Sequence, residues 1–274
     1  MSEQNSIIFL ETESSKQFAE LCDLCRDQKT VGLSYGRPGV GKTTTAMRAA
    51  RWSAVEPNIV SRTRQLVEPE KLIGCNVIYY LPSITTSAAR LRSELCALRN
   101  NFDDAVERAH QKLSESAIVD EPGKRYGKLI IVDEAYRLKY EALEELRDLH
   151  DKWKIGMVLI GDPGLERSLD RQPHFVNRIA FVQSFQQLKS EEANKYVQMQ
   201  AKRLGLELPE SEIYTAIFWY SQGNLRMLEK LFRLLERLVK LNNDKTIKRD
   251  VLDAAREMLL FANVRPQKSA AEVS

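Results

Sequence analysis

The residues best equipped for chemistry lie between Ser34 and Thr45, in the run SYGRPGVGKTTT. Gly36, Gly41, Lys42 and Thr43 satisfy the spacing G-x-x-x-x-G-K-[ST]. In that pattern glycines let successive backbone N–H groups converge on phosphate oxygens, the lysine reaches the outer phosphates, and the hydroxyl ligates magnesium. Here Gly36, Pro38, Gly39, Val40, Gly41, Lys42, Thr43 and Thr44 would form the cradle, with Thr43 on the metal. A tight turn between a strand and a helix is the bland alternative, so the flanks decide. VGLSY, residues 31–35, suits a buried strand, and KTTTAMRAARW from Lys42 suits a helix whose positive end favours an anion. Strand, glycine loop and helix is the arrangement that a nucleotide site needs.

A second acidic centre lies in LIIVDEA. Four apolar residues, Leu129 to Val132, bury a strand and leave Asp133 and Glu134 at its carboxyl end, where open α/β sheets place ligands. Asp133 would hold magnesium, directly or through water, and Glu134 would orient and deprotonate an attacking water. The other reading is a pair of capping acids before the helix AYRLKYEALEELRDL. Asp162, after the buried run VLIG, would sense the outer phosphate or align water, or else form an Asp-Pro turn. Arg178, in FVNRIAF, has no acid nearby in sequence and suits a cation offered to a neighbouring subunit's nucleotide; an ordinary surface arginine is the alternative. Arg226 falls in the first turn of a helix that Asn224 can cap. A cation there opposes the helix dipole, so nucleotide sensing stands beside a solvated face.

The elements that must hold these groups are legible in outline. Short β-branched runs, CNVIYYL (75–81), KLIIVDEA (128–135) and IGMVLIG (155–161), alternate with helical segments up to about residue 183. That is an α/β pattern, a parallel sheet flanked by helices on both faces. From Ser190 the period is helical throughout, which predicts a small all-helical lid domain. The expected domains are 1–183 for nucleotide binding, 184–262 for the helical lid, and 263–274 as a disordered tail.

Composition narrows the classes. The formal net charge of +3 over 274 residues neither demands nor excludes a nucleic-acid partner, so any basic surface must be local. No apolar run approaches a membrane span. Four cysteines, without disulfide-scaffold density, and an opening MSEQNS that is no signal peptide point to a reducing cytoplasm. Cys22 and Cys25 form a C-x-x-C within a helical run; thiols without a metal role are favoured over zinc, because no second ligand pair follows.

Taken in order, GRPGVGKT, IIVDEA, a polar residue after VLIG, an arginine before the lid and GNLR within it resemble an AAA+ ATPase. The opening IFLETESSKQF and the block from Ile130 to Asp162 are similar to the DNA transposition ATPases typified by MuB, with TniB, TnsC and IstB, over roughly residues 8–240. The resemblance implies ATP and Mg2+, a P-loop AAA+ fold, and a homo-oligomer, either hexameric ring or helical filament, on double-stranded DNA. It also implies a transposase partner, possibly with a target-selection protein, and no membrane. In relatives the residue after the VLIG strand is usually Asn or Thr, so Asp162 bears on the rate of hydrolysis. The ATPase core begins almost at once, so DNA contact is expected from the core itself. Arg90, Arg92, Arg99 and Lys112, with Thr85, Thr86, Asn100 and Asn101, could follow phosphates without reading bases, although acids are interleaved among them. Arg62, Arg64 and Lys71 are a second candidate set. The rival reading is a protein-remodelling or secretion-associated ATPase that does not bind DNA; a replication loader and a module with a dead nucleotide site fit less well.

Overall fold

In the computed structural model the described residues are 9–60, 65–113, 124–169, 173–208, 211–242 and 244–259. The chain forms two compact units, Glu13–Gln186 and a second made of the residues up to Thr12 together with Gln187 onward.

The first unit is built on five parallel strands: β1 (Val31–Gly36), β2 (Val77–Tyr80), β3 (Leu129–Val132), β4 (Gly156–Gly161) and β5 (Ile179–Phe185). Their order is β2-β3-β4-β1-β5. Parallel strands need crossovers, and helices fill them: α2 (Lys42–Ala49), α3 (Trp52–Val60), α4 (Ala88–Leu113), α5 (Tyr140–Trp153) and the short α6 (Leu165–Leu169) and α7 (Pro173–Val176), with α1 (Glu13–Gln28) preceding β1. Every residue of β2, β3 and β4 is buried, as strands covered on both faces require. Edge strand β5 instead alternates between partly buried and exposed positions over Ile179–Val182, and only Phe185 at its end is buried.

Helix α1 lies against β4 and β5, with the Phe18 ring tilted at 44° to that of Phe185 at a centroid separation of 5.5 Å. The approach depends on Gly156, where a Cβ would lie 2.4 Å from the Cys25 carbonyl oxygen. Cys22 and Cys25 are core groups of this layer, and burial raises both thiol pKa values, that of Cys25 to about 11. Among the described residues no cluster of three or more His, Cys, Asp or Glu side chains is placed to hold a metal.

The second unit packs α8 (Ser190–Leu204), α9 (Ser211–Ser221), α10 (Leu225–Leu241) and α11 (Arg249–Glu257) around Tyr196, Ile217, Leu228, Phe232 and Leu252. Leu10 joins that core, so residues 9–12, which sequence reading places with the nucleotide-binding domain, group with the helices. Gly223 separates α9 from α10 with φ +70°, and a Cβ there would meet the Leu188 carbonyl oxygen at 2.3 Å. The 263–274 tail, Arg62 and Arg64 lie outside the described residues. Among the described residues no helix is long and apolar enough to cross a membrane.

Candidate functional site

The strand order brings β3, β4 and β1 side by side, and each ends in a candidate residue. Past β1 the chain enters the glycine loop, where Gly39 (φ +84°) and Gly41 (φ +96°) take backbone conformations that a side chain would strain. Gly36 is closed in a different way, since a Cβ would lie 2.7 Å from both Cβ and the carbonyl oxygen of Phe185 on β5. Val40 anchors the loop in the core, and α2 starts at Lys42 with its first-turn N–H groups free of any side-chain cap. Orphan donors at a helix start suit an anion. Thr44 is exposed in that turn, whereas Thr45 donates its backbone N–H to Gly41.

Lys42 is only 6 % exposed. Its Nζ donates to the carbonyl oxygens of Gly36 and Arg37 and to Asp162 Oδ1 at 2.9 Å. The basic group beside Asp162 is therefore the loop lysine itself. Thr43 Oγ1 donates to Asp133 Oδ2 at 2.7 Å, so the two oxygens assigned to magnesium are already neighbours. Asp133 is fully buried and accepts two further hydrogen bonds, from Tyr79 Oη at 2.9 Å and from the Glu134 backbone N–H at 2.8 Å. Burial, and after it the charge of the Asp133 carboxylate, raise the Tyr79 pKa and keep that phenol a donor. The donor set, one hydroxyl and one carboxylate on hard oxygens, fits Mg2+.

Glu134 occupies a left-handed backbone conformation, φ +53°. Its Oε2 accepts from Tyr136 Oη and lies 3.2 Å from Arg137. Arg137 also donates to the carbonyl oxygen of Pro82, beyond the end of β2. The acid thus stands at the sheet's carboxyl edge, restrained by two donors. Sequence reasoning missed Tyr79, Tyr136 and Arg137. Tyr136 and Arg137 stand two and three residues beyond Glu134, close enough to fold back on it, and that spacing was the available signal; Tyr79 comes from another strand.

Several of the expected cations are paired or buried within this chain. Arg178 has no acid nearby in sequence, but α5 supplies one: Nε and Nη2 make bonds of 2.9 and 2.8 Å to the two oxygens of Asp151, and Nη1 donates to the His174 carbonyl. The pairing raises the Arg178 pKa and lowers that of Asp151. The proposed DNA cations on α4 fare worse. Arg99 is buried at 8 % exposure, over the Trp153 ring at 4.7 Å, and cannot follow a phosphate backbone. Arg90 is paired with Glu94, and Arg92 with Glu145 and Asp148. Thr86 is buried; Lys112 stays exposed at the end of the helix. Arg226 is exposed in the first turn of α10, behind the Asn224 cap, in the helical unit.

A five-stranded parallel sheet, a glycine loop opening α2, and an aspartate and glutamate ending β3 together define a P-loop nucleotide-binding protein of the AAA+ kind. The AAA domain family model matches residues 25–169, and the chain belongs to that family. A potential ATP-binding protein of Staphylococcus aureus is 31 % identical over 271 residues, covering 92 % of this chain and 97 % of the relative. Mu-like prophage FluMu DNA transposition protein B of Haemophilus influenzae is 30 % identical over 154 residues, 56 % of this chain and 45 % of that protein. The ATP-dependent target DNA activator B of Escherichia phage Mu is 28 % identical, over 56 % of this chain and 42 % of the relative. The chain therefore spans less than half the length of either transposition protein and is similar to each over that span. The Thermotoga maritima RuvB Holliday junction branch migration motor shares the fold with TM-score 0.60 at 16 % identity, over 92 % of this chain and 70 % of that one. So does Aeropyrum pernix ORC1, solved in complex with DNA, with TM-score 0.59 at 15 % identity, over 91 % and 65 % of the two chains.

Proposed function

We propose that the protein hydrolyses ATP with Mg2+ and uses the nucleotide cycle to assemble on, and leave, double-stranded DNA as a regulator of a transposase. The observation that carries this reading is the grouping of Lys42, Thr43, Asp133, Glu134 and Asp162 at the ends of three adjacent strands, in a relative of two DNA transposition proteins. When bound, the metal would supply charge neutralisation at the outer phosphates. Thr43 and Asp133 are the residues that would hold it. The glycine loop, with Pro38 and Val40 fixing its path, would present N–H groups to the phosphates, Lys42 would exchange Asp162 for the outer phosphate, and Glu134 would take a proton from water. Residues 184–262 would act as the lid, with Arg226 sensing the nucleotide. Arg178 would serve the site of a neighbouring copy in a hexameric ring or helical filament, after leaving Asp151.

The second reading is a protein-remodelling ATPase without DNA, and one observation favours it: of the four DNA-contact candidates on α4, Arg90, Arg92 and Arg99 are ion-paired or buried. The deciding experiment follows assembly by electron microscopy with a non-hydrolysable ATP analogue and duplex DNA. Ordered DNA-bound particles are expected from wild type, none from Lys42→Ala, and persistent particles with ATP itself from Glu134→Gln. Assembly that ignores DNA would favour the second reading.

A further inference from the structure

Helix α10 reads LRMLEKLFRLLERLVKL, and all five of its cations share one face. Arg226, Lys230, Arg233, Arg237 and Lys240 are spaced four, three, four and three residues apart, which at 3.6 residues per turn confines them to an arc of about 80°. All five are exposed. The opposite face, Leu228, Leu231, Phe232, Leu235 and Val239, is buried in the helical core, so the orientation of the stripe is fixed by packing.

The charge on this face is not balanced. Glu229 pairs with Arg233 and Glu236 with Lys240, each at 2.7 Å, but among the described residues Arg226, Lys230 and Arg237 have no ion pair or hydrogen bond. With two acids against five bases, the helix carries an excess of three positive charges, equal to the formal net charge of the whole chain. Cations elsewhere are offset by acids; on α10 they are concentrated. The contrast with α4 is direct, since Arg90, Arg92 and Arg108 there each have a carboxylate partner.

We infer that this face of α10 is the surface on which the protein meets the phosphate backbone of duplex DNA. The inference rests on the DNA reading above and moves its contact surface from α4 to α10. From Arg226 to Lys240 the stripe runs about 21 Å, a length over which a duplex presents about twelve phosphates. Cations without acceptors that could point at base edges follow phosphates regardless of sequence. An anionic membrane fits less well, because the apolar face that would enter it is committed to the core. Arg226, at the head of the stripe, is reserved for the nucleotide; Lys230 and Arg237 are the unpaired cations left for DNA, beside Arg233 and Lys240, which hold Glu229 and Glu236.

The test is fluorescence anisotropy of the full chain on two unrelated labelled duplexes, with a non-hydrolysable ATP analogue, across a salt series. For the double variant K230Q/R237Q the salt slope should flatten by about two units for both duplexes, and K230E/R237E should bind on the order of tenfold to a hundredfold more weakly. ATP hydrolysis without DNA should be unchanged in both, which also reports that the helix is folded. The charge-conserving K230R/R237K should keep wild-type affinity; loss equal to that of the reversed pair would overturn the inference. Wild-type affinity and slope in K230E/R237E would overturn it while leaving the DNA reading intact. Competition by polyglutamate as effective as by duplex would reassign the face to an acidic protein. Failure of wild type to bind either duplex at low salt would remove the DNA reading, and the inference with it.

Discussion

Lys42 Nζ stands 2.9 Å from Asp162 Oδ1, so the cation that the glycine loop offers to a nucleotide is held by a carboxylate on the neighbouring strand end. A bound phosphate must compete with Asp162 for Lys42. Asp162→Asn removes the competing charge and keeps a side chain of the same shape. Because Asp162 is partly exposed, the effect is modest: ATP should bind about threefold more tightly. Titration of a fluorescent ATP analogue measures this, and weaker binding would mean that Asp162 belongs to the metal site instead.

Glu134 is restrained by Tyr136 and Arg137, and a carboxylate held by other donors is less free to meet an attacking water. Tyr136→Phe removes one donor while keeping the ring. Steady-state kinetics should show kcat without DNA rising about fivefold, equivalent to about 1 kcal/mol, with KM unchanged. A fall in kcat would show instead that Tyr136 holds Glu134 in its working position.

Arg178 can act on a neighbour's nucleotide only after releasing Asp151. Asp151→Asn should therefore raise ATP hydrolysis at protein concentrations where copies associate and leave dilute protein unaffected. Mixing Arg178→Ala with Lys42→Ala should restore part of the activity, since each supplies what the other lacks at a shared interface. Activity linear in protein concentration, with no recovery in the mixture, would confine Arg178 to its pair with Asp151. That pair is partly exposed, so Arg178→Ala should cost less than about 1 kcal/mol of stability.

Arg99 packs on Trp153 beside Asp103, which also accepts the N–H groups of Tyr126 and Gly127. Arg99→Ala deletes a buried stem and a cation–π contact and should cost about 1–2 kcal/mol, lowering the melting temperature by a few degrees. Duplex affinity of the folded variant should match wild type. A uniform loss of DNA affinity without loss of stability would return α4 to the DNA surface.

What could be read from the chain divides along contact range. The glycine loop, the run LIIVDEA and the three central strands are contiguous signals, and residues 31–36, 129–134 and 156–162 stand where their local patterns place them. Strand β5 was harder, because the apolar run IAFV is short and is followed by the polar residues Gln183 and Ser184. Asp151 lies 27 residues before its partner Arg178, and Glu145 and Asp148 lie on α5, away from Arg92; only the sheet's crossover order unites them. Arg90 with Glu94 is different. An i,i+4 pair is local, and its neutralisation was visible in the sequence, as was the four-three-four-three spacing of the α10 cations.

The sheet unit begins and ends at one place. The Gln186 backbone N–H donates to Ser14 Oγ at 3.1 Å, so the residues that open and close the unit are joined by a hydrogen bond. Topologically the unit is a cassette: its boundaries meet without crossing a strand, and a short linker could close residues 13–186 into a ring or allow new termini elsewhere in its loops. Nucleotide binding and the α10 face can then be assigned to separate polypeptides and mixed in chosen ratios. Whether nucleotide binding and the α10 face must share a covalent chain becomes a question that protein engineering can ask directly.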